Sequence, residues 1–351
     1  MRLVTRTVAS IVGEREGLQR IELDDASRAY VLTALVGPVV VGDRVVVNTT
    51  AVDLGLGTGG WHVVHWNLER DEWQRPGGGH VMKLRYTSLQ VDVGAAEERQ
   101  DAVPASLGGM PVVACGLHSQ VGPVAAALRA VSPAARLAYV MTDAAALPLA
   151  LSDLVADLRR VGLLGITVTA GQAFGGDIEA VNVASALCLA RQWGADAAVV
   201  AMGPGGVGTG TELGFGALEV AAVLDTAGWL GGTPIACLRY ASADARPRHQ
   251  GVSHHSLTAL GRATGFPVVV PVPAGELGVA IQGELAAAGI AERHRIVAVA
   301  VPDVGAILAA AGVEVTTMGR RPDDDPAFFA VAGAAGVSAA ARSDEAGTVQ
   351  W

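Results

Sequence analysis

Lysine is almost absent from this sequence of 351 residues, in which Lys83 is the only one. Arginine carries nearly all of the positive charge, the net charge is −9, and no run of basic residues occurs. A mechanism that needs a Schiff-base lysine is therefore excluded unless Lys83 supplies it. The acidic balance, without a basic run, also argues against nucleic acid as a partner.

Long apolar runs and paired cysteines are missing as well. The composition is 51% hydrophobic with a mean hydropathy of +0.39, but the apolar segments last only about 6–12 residues, too short to span a bilayer. The N-terminal stretch MRLVTRTVASIVGERE lacks the apolar core and cleavage site of a signal peptide. Cys115, Cys188 and Cys237 have no second cysteine at metal or redox spacing. We therefore expect a cytoplasmic protein with buried, reduced thiols and no membrane partner.

The pattern of apolar residues divides the chain into two domains. Residues 1–94 contain short β-branched segments broken by Gly, Asp and Pro, which predict a small β-barrel-like domain. Within it, PVVVGDRVVVN (38–48) is typical of a hairpin that turns at GD, and the alternative is a short loop. The polar segment 95–109 is interpreted as a linker. From 110 to 342, Val- and Ile-rich strands, the last of them predicted at VEVTTMG (313–319), alternate with Ala-rich helices. This predicts a doubly wound, mainly parallel α/β sandwich, and 343–351 form a tail.

Polar side chains in the second domain are concentrated directly after its predicted strands. His118 follows the first strand, TAGQAFGGD (169–177) the third, AMGPGGVGTGT (201–211) the fourth and RYASADARPRHQGVSHHS (239–256) the fifth. In open α/β sheets, ligands bind at the carboxyl ends of the strands, where the strand order reverses. We therefore expect a site at this edge of the sheet.

The glycine-rich loop fits the pattern G-x-G-x-x-G. Such glycines let the backbone approach an anion, and a helix N-terminus after the loop would offer free N–H groups. The loop follows the fourth strand rather than the first, and no acidic residue ends a strand about 20 residues later, so an NAD site is the less favoured interpretation. An anion cradle and a tight strand-to-helix connection both remain open. The predicted ligand-binding residues are Gly203, Gly205, Gly206, Gly208, Thr209 and Thr211.

The segment after the fifth strand holds three of the eight histidines. Arg246, Arg248 and His249 are predicted to hold a phosphate or carboxylate, because guanidinium groups bind such anions through two parallel hydrogen bonds. Alternatively, Asp244 and the histidines could bind a divalent metal, although their spacing matches no common metal motif. As a third interpretation, SHHS caps the next helix and the arginines are solvated. The metal and any cofactor are left unassigned.

Three histidines are predicted as acid–base groups: His118, His254 and His255. Ser119 next to His118 is not placed to be activated by it, and no G-x-S-x-G motif occurs, so Ser119 is interpreted as a helix N-cap. Asp143 and Asp177 are predicted to cap helices in the same way, although GQAFGGD (171–177), which ends at Asp177, could instead be a second anion loop. In the first domain, GLGTGGWHVVHW (55–66) is either a second ligand loop or a turn followed by a half-buried aromatic strand.

Five stretches of the sequence resemble a bacterial family known as domain of unknown function 3866 (DUF3866). They are NTTAVDLGLGTGGWH (48–62), LHSQ (117–120), GPGGVGTGT (203–211), RPRHQGVSHHSLTALGR (246–262) and MGRRPDDDPAFFAVAGAAG (318–336). The resemblance spans nearly the whole chain and supports the boundaries and loops described above. It implies no reaction and no ligand.

These patterns favour a small-molecule enzyme or binding protein that acts on a phosphate- or carboxylate-bearing ligand. The alternative is a non-catalytic, metabolite-sensing or scaffold protein whose β domain engages a partner. The Ala-rich helices also make a homodimer a reasonable expectation. The sequence does not decide whether the protein is catalytic.

Overall fold

The computed structural model of the chain describes residues 1–56, 59–99 and 103–345, the last four of these through their backbone only. The chain divides into two compact units, residues 1–94 (the first unit) and 95–351 (the second unit). The linker at 95–109 and the tail from 343 stay predictions, because residues 100–102 and 346–351 lie outside the described part.

The first unit is built around a closed barrel of five strands in the order β1-β2-β3-β5-β4. Strand β1 pairs with both β2 and β4, which closes the barrel, and β3 lies parallel to β5. This is the strand arrangement of the OB-fold barrel, a fold that serves many unrelated functions. The strands of this unit are β1 (Leu3–Arg15), β2 (Leu18–Leu23), β3 (Arg28–Val31), β4 (Arg44–Asn48), β5 (Trp61–Asn67), β6 (Met82–Lys83) and β7 (Val91–Asp92), and its helices are α1 (Thr33–Val36) and α2 (Thr50–Asp53).

The barrel core follows from the alternation of apolar and polar residues along each strand. Ile21 and Leu23 of β2 and Val45 and Val47 of β4 are fully buried inside the barrel, and the residues between them are at least partly exposed. A period of two is what a strand with one buried face requires. The β-barrel-like domain predicted from the sequence is therefore confirmed.

The predicted hairpin at residues 38–48 is wrong in its first half. Val40 and Val41 are each 62% exposed and belong to a turn, in which the Val40 N–H donates to the Asp43 carboxylate at 2.9 Å. Strand β4 begins only at Arg44 and pairs with β1 and β5. Closure of the barrel occupies both edges of β4, so no edge remains for the preceding valines.

The aromatic run of residues 61–67 forms the strand β5; residues 57 and 58 of the alternative ligand loop lie outside the described part.

The second unit contains an eight-stranded sheet in the order β11-β10-β9-β12-β8-β13-β16-β17, and every pair in it is parallel. Helices cover both faces, which confirms the predicted α/β architecture. The strands of this unit are β8 (Pro111–Cys115), β9 (Leu137–Thr142), β10 (Ile166–Thr169), β11 (Ile178–Glu179), β12 (Ala197–Met202), β13 (Thr233–Cys237), β14 (Tyr240–Ala241), β15 (Gly251–Val252), β16 (Val269–Pro273) and β17 (Arg295–Val299). Its helices are α3 (Val121–Val131), α4 (Asp153–Arg160), α5 (Val183–Gln192), α6 (Glu219–Trp229), α7 (His254–Thr258), α8 (Glu276–Ala287), α9 (Val304–Ala310) and α10 (Pro326–Glu345).

The sheet has two separate cores because its strands are apolar on both faces. On one face, Val113 and Cys115 pack in a cluster with α3, α4, α9 and α10. On the other, Val112 and Ala114 pack in a cluster with α5, α6 and α8. Side chains that alternate along β8 thus enter opposite cores.

The strand order reverses between β8 and β12, which are neighbours in the sheet. After β8 the chain passes over β12 to β9, and after β12 it passes over β8 to β13. The two connecting helices, α3 and α6, consequently lie on opposite faces of the sheet. A crevice therefore opens beyond the carboxyl ends of β8 and β12, where ligands bind in sheets of this kind.

The strand predicted at VEVTTMG (313–319) does not form. Val313 and Val315 are buried, but the segment makes only an isolated bridge between Thr317 and Arg320. Val315 packs against Gly122 in α3, on the helical layer and not on the sheet. Burial of an apolar run against a helix thus replaces the predicted strand.

Among the described residues, none of the helices combines the length and apolarity that a membrane crossing requires.

Candidate functional site

A cavity of about 130 Å³ lies at the point where the strand order reverses, and we call it the switch-point cavity. Its floor comes from Gly116 and Leu117, after β8, and from Met202, the last residue of β12. The glycine loop, residues 203–211, and the segment after β13 supply much of its wall. Several predicted site residues meet here, namely Gly206, Gly208, Thr209, Arg246, Arg248, His249 and His255.

The glycine loop folds back on itself and does not run into a helix. Thr209 N–H donates to the Gly214 carbonyl at 2.8 Å and Gly216 N–H to the Val207 carbonyl at 2.9 Å, so the loop forms a small hairpin. Helix α6 begins only at Glu219. The expected helix N-terminus directly after the loop is therefore wrong, and the dipole of α6 gives the loop no support as an anion site.

Two glycines of the loop are required by their surroundings. A Cβ at Gly203 would collide with the carbonyl oxygen of Ala146, and Gly205 has a φ of +87°, which disfavours residues with a side chain. Gly210, in contrast, lies in open space. The loop thus requires glycine at Gly203 and Gly205, close to β12, whereas Gly210 has room for a side chain.

Two residues of the loop that line the cavity, Gly206 and Gly208, have backbone N–H groups that make no hydrogen bond to the described residues. The two predicted hydroxyl ligands are used inside the loop: Thr209 Oγ1 accepts from the Thr211 N–H at 3.2 Å, and Thr211 Oγ1 accepts from the Gly214 N–H at 3.1 Å. The backbone amides, more than the threonines, are therefore available for an anion.

Asp244 organises the arginines beside the cavity. Arg246 donates to its two carboxylate oxygens at 2.9 Å each, while Arg239 and Arg320 lie at 3.6 and 3.7 Å. The hydrogen bonds from Arg246 hold the pKa of the Asp244 carboxyl well below its usual range. Burial, followed by the charge of Arg246, lowers the pKa of Arg239 to about 10. Asp244 is thus a fixed anion inside a ring of guanidinium groups.

A second buried carboxylate supports this ring. Asp325 is fully buried; one of its oxygens accepts from Arg320 Nε at 3.1 Å and the other from the N–H and hydroxyl of Ser242 at 3.2 and 3.0 Å. Arg320 and Asp325 belong to MGRRPDDDP, in which the sequence analysis placed no functional residue. The two arginines followed closely by three aspartates there were the signal that could have found them.

Arg248 differs from the other arginines of the cavity. It is exposed and lines the cavity, and within the described ranges its guanidinium has no ion pair and no hydrogen bond. Three guanidinium groups line the cavity, those of Arg239, Arg246 and Arg248, and no carboxylate of the described residues lines it. The wall of the cavity consequently carries an excess of positive charge.

The three neighbouring histidines pack against one another, with ring centroids 4.3–5.0 Å apart. His249 Nδ1 lies 2.7 Å from Ser253 Oγ, and His255 stacks on Phe215 at 3.9 Å and accepts from Arg239 at 3.2 Å through Nδ1. Burial, then the charge of Arg239, lowers the pKa of His249 to about 4 and of His255 to about 3. Both rings are therefore neutral near pH 7.

His254 is the most unusual of the three. It is the first residue of α7, and Ser253 caps this helix by accepting from the His255 N–H at 3.3 Å, as one of the interpretations of SHHS expected. Its Nδ1 lies 3.3 Å from the Arg248 carbonyl oxygen, and its Nε2 is buried with no hydrogen-bond partner among the described residues. One nitrogen of each ring, His249, His254 and His255, lies within 4.8 Å of the others.

His118 lies close to the cavity, but protein atoms engage both of its nitrogens. Nδ1 donates to the Met202 carbonyl at 3.1 Å, and the Ser152 hydroxyl, 2.7 Å away, donates to Nε2. Tyr139 contributes a further contact, 3.2 Å from Nδ1. Burial lowers the pKa of His118 to about 4. The ring therefore fastens β12 to the start of α4 and has no nitrogen left for a substrate.

The other predicted caps are wrong. Ser119 donates to Thr317, Asp143 accepts from the Gln172 N–H, and Asp177 accepts from the N–H and hydroxyl of Thr167 and from Arg159. Short loops and strands intervene before the next helices, which Ser152 and Asn182 cap. Asp143 thus binds the loop after β10, and Asp177 binds β10 itself and α4.

One carboxyl near this edge was missed by the sequence analysis. Glu219, at the start of α6, accepts from the Thr142 hydroxyl at 2.6 Å. Burial, reinforced by the charge of Asp143, raises its pKa to about 7. An isolated glutamate before an apolar helix carries no signal of this burial in the sequence.

Comparison with known proteins agrees with the resemblance noted from the motifs. The family model described as "Protein of unknown function (DUF3866)" matches residues 28–336, which include most of each unit and every residue of the cavity wall. A search of the curated proteins finds no match. Because the matched segment covers most of the chain, the protein belongs to the DUF3866 family.

Proposed function

We propose that the protein is a small-molecule enzyme or binding protein, whose anionic ligand places its phosphate or carboxylate group in the switch-point cavity. The observation that carries the proposal is the convergence of unpaired donors there: the Arg248 guanidinium and the N–H groups of Gly206 and Gly208. Charged donors and backbone amides in a recess are what phosphate and carboxylate groups bind.

The charge balance supports an anion. Arg246 donates a hydrogen bond to each carboxylate oxygen of Asp244. Arg239 forms an ion pair with Asp244 and donates a hydrogen bond to His255. Arg248 is left as the cation whose field is not neutralised by a nearby carboxylate. An anionic ligand would supply the missing negative charge.

The size of the cavity limits the ligand. At about 130 Å³ it is smaller than the roughly 300–1,000 Å³ of sites that enclose drug-sized molecules. It fits an anionic group and a few further atoms, with the remainder of a larger ligand outside. This favours a small metabolite over a dinucleotide such as NAD.

Acid–base chemistry at this site would depend on His255. Of the three histidines predicted for that role, it alone lines the cavity. This also keeps the non-catalytic alternative in place, since a sensing protein needs the same anion contacts and no acid–base group. Turnover of a bound ligand by the wild type but not by His255→Gln would distinguish the enzyme from the sensor.

A thermal-shift screen against inorganic phosphate, phosphate monoesters and small carboxylates tests the proposal. A ligand at 100 times its dissociation constant adds about 2.7 kcal/mol of stability. In Gly208→Val, the new Cβ would lie 3.3 Å from Phe215 Cβ and 3.6 Å from His255 Cε1, so we expect the shift to disappear. Gly210→Val, in open space on the same loop, should keep it. Equal shifts in both variants would place the ligand elsewhere.

The cytoplasmic location and a homodimer formed through the Ala-rich helices belong to the same proposal. Size-exclusion chromatography with light scattering, with and without the ligand, tests the dimer. A monomer under both conditions would remove it.

A further inference from the structure

We propose that His249, His254 and His255 form a binding site for a divalent transition metal such as zinc. The inference does not rest on the anion proposal, because the three rings could hold a metal whatever the cavity binds. It starts from their convergence: one nitrogen from each lies within 4.8 Å of the others.

His254 supplies the strongest argument. A carbonyl oxygen can only accept, so the contact of 3.3 Å between Nδ1 and the Arg248 carbonyl places the ring hydrogen on Nδ1. Nε2 then carries a lone pair, and this atom is buried without any partner. A buried acceptor that makes no bond is costly. A metal ion between the rings would satisfy it.

The atoms behind the rings have the arrangement found at metal sites. Histidine ligands commonly bond through their other nitrogen to a carbonyl or another polar group, which fixes the ring and its tautomer. Here the Arg248 carbonyl holds His254, and Ser253 Oγ, 2.7 Å from Nδ1, holds His249. These two rings are the ligands that the present geometry already offers.

His255 becomes the third ligand at the expense of one contact. A guanidinium only donates, so Nδ1 of His255 accepts from Arg239 at 3.2 Å and the neutral ring keeps its hydrogen on Nε2. Whether the metal binds Nδ1 itself or binds Nε2 and moves the ring hydrogen to Nδ1, the hydrogen bond from Arg239 is lost. Side-chain rotations in a five-residue helix such as α7 can bring the nitrogens within bonding distance of one ion.

The charges around the site define its fourth position. Three neutral imidazoles leave the full charge of the metal in place, next to Arg239 and Arg248. The fourth ligand should therefore be a hydroxide or another anion. It would enter from the switch-point cavity, which His249 and His255 line. Three protein ligands and one open position are the pattern of catalytic zinc sites.

Metal binding by the full-length protein tests the site. After treatment with a chelator and its removal, we expect one equivalent of Zn²⁺ to bind by calorimetry in a buffer without phosphate. Co²⁺ should give the visible absorption bands of a four-coordinate site. His254→Gln should weaken Zn²⁺ binding by at least ~10–100-fold, the loss typical even for groups behind the ligands.

His62→Gln is the matched control. His62 lies in the first unit, and its Nδ1 is likewise buried without a partner, so this variant removes a similar orphaned nitrogen outside the cluster. It should bind Zn²⁺ like the wild type. No stoichiometric binding by the wild type, or equal weakening in both variants, would overturn the proposal. If His254→Gln fails to fold, the Co²⁺ spectrum of the wild type decides: bands of a six-coordinate ion would contradict the site.

These results are separable from the anion proposal. Arg248→Gln removes no metal ligand and takes away a positive charge next to the metal, so it should bind Zn²⁺ at least as tightly as the wild type while phosphate binding falls. A wild type that binds Zn²⁺ but not phosphate contradicts the anion proposal alone, and a wild type that binds phosphate but not Zn²⁺ contradicts the metal proposal alone.

Discussion

Replacing Asp244 by asparagine should destabilise the second unit, because three guanidinium groups would lose their shared counter-ion. Asp244 is 3% exposed, and Arg239, Arg246 and Arg320 all lie within 3.7 Å of its carboxylate. Asparagine has nearly the same shape, so the change removes charge and little packing. The three arginines would then repel one another, and partial burial would strengthen this repulsion.

The magnitude follows from the burial of the partners. Removing one member of a buried ion pair costs about 3–5 kcal/mol. Arg246 is 37% exposed and Arg320 19%, so solvent screens part of the repulsion, and we expect a loss of about 3 kcal/mol, the lower end of that range. At roughly 2–4 °C per kcal/mol for a unit of this size, the midpoint should fall by ~6–12 °C.

The pH dependence supplies a second check on the same variant. The folded-state pKa of Asp244 lies below its ordinary value of 3.8, so its stabilisation is complete above that value and is lost as the pH falls below it. The difference between the wild type and Asp244→Asn should therefore be largest near pH 7 and shrink below about pH 4.

Urea denaturation at pH 7 and at acid pH, followed by circular dichroism, measures both effects. Asp323→Asn, an exposed aspartate of MGRRPDDDP, serves as the control for a lost surface charge and should change stability by less than about 0.5 kcal/mol. A loss below about 1 kcal/mol for Asp244→Asn, or a loss independent of pH, would refute the role assigned to this carboxylate.

Two further variants test the loops at the strand ends. Gly203→Ala should destabilise the protein by about 1–3 kcal/mol, since its Cβ would collide with the Ala146 carbonyl, while Gly210→Ala should be near neutral; similar melting points for the two would contradict the packing. Glu219→Gln should stabilise the protein by about 2 kcal/mol at pH 8. The folded pKa of about 7 lies above the ordinary 4.5, so the wild type loses stability as the pH rises between these values. The gain should vanish near pH 4.5, and a constant gain would show that the charge of Glu219 is not its cause.

The fold was predictable where one residue's neighbours in sequence decide its environment. Continuous apolar strands such as LAYVMT (137–142) must be buried on both faces, and this alone indicates a parallel sheet between two layers of helices. The alternation along β2 and β4 likewise indicated a barrel. The hairpin at Val40 and Val41 failed because closure of the barrel, a long-range property, decides which edges are available.

The site was predictable only in part, for a related reason. Carboxyl ends of parallel strands meet at one edge, so the glycine loop and the Arg246–His255 segment could be placed together from the sequence. The hydrogen-bond and ion-pair partners of each side chain could not be predicted from the sequence. His118 meets Ser152 and Met202, and Asp244 meets Arg320, through contacts across 34 to 84 residues of chain. No local pattern encodes such contacts.

The most direct test of the account is the binding of inorganic phosphate to three proteins: the wild type, Arg248→Gln and Arg295→Gln. Arg295 is an exposed arginine at the start of β17, at the amino-terminal edge of the sheet, so its replacement makes the same charge change away from the cavity. A charged hydrogen bond contributes about 1.5–3 kcal/mol, so Arg248→Gln should weaken phosphate binding by roughly tenfold or more. Arg295→Gln should bind like the wild type. Equal affinity for all three proteins would contradict an anion site at the switch-point cavity.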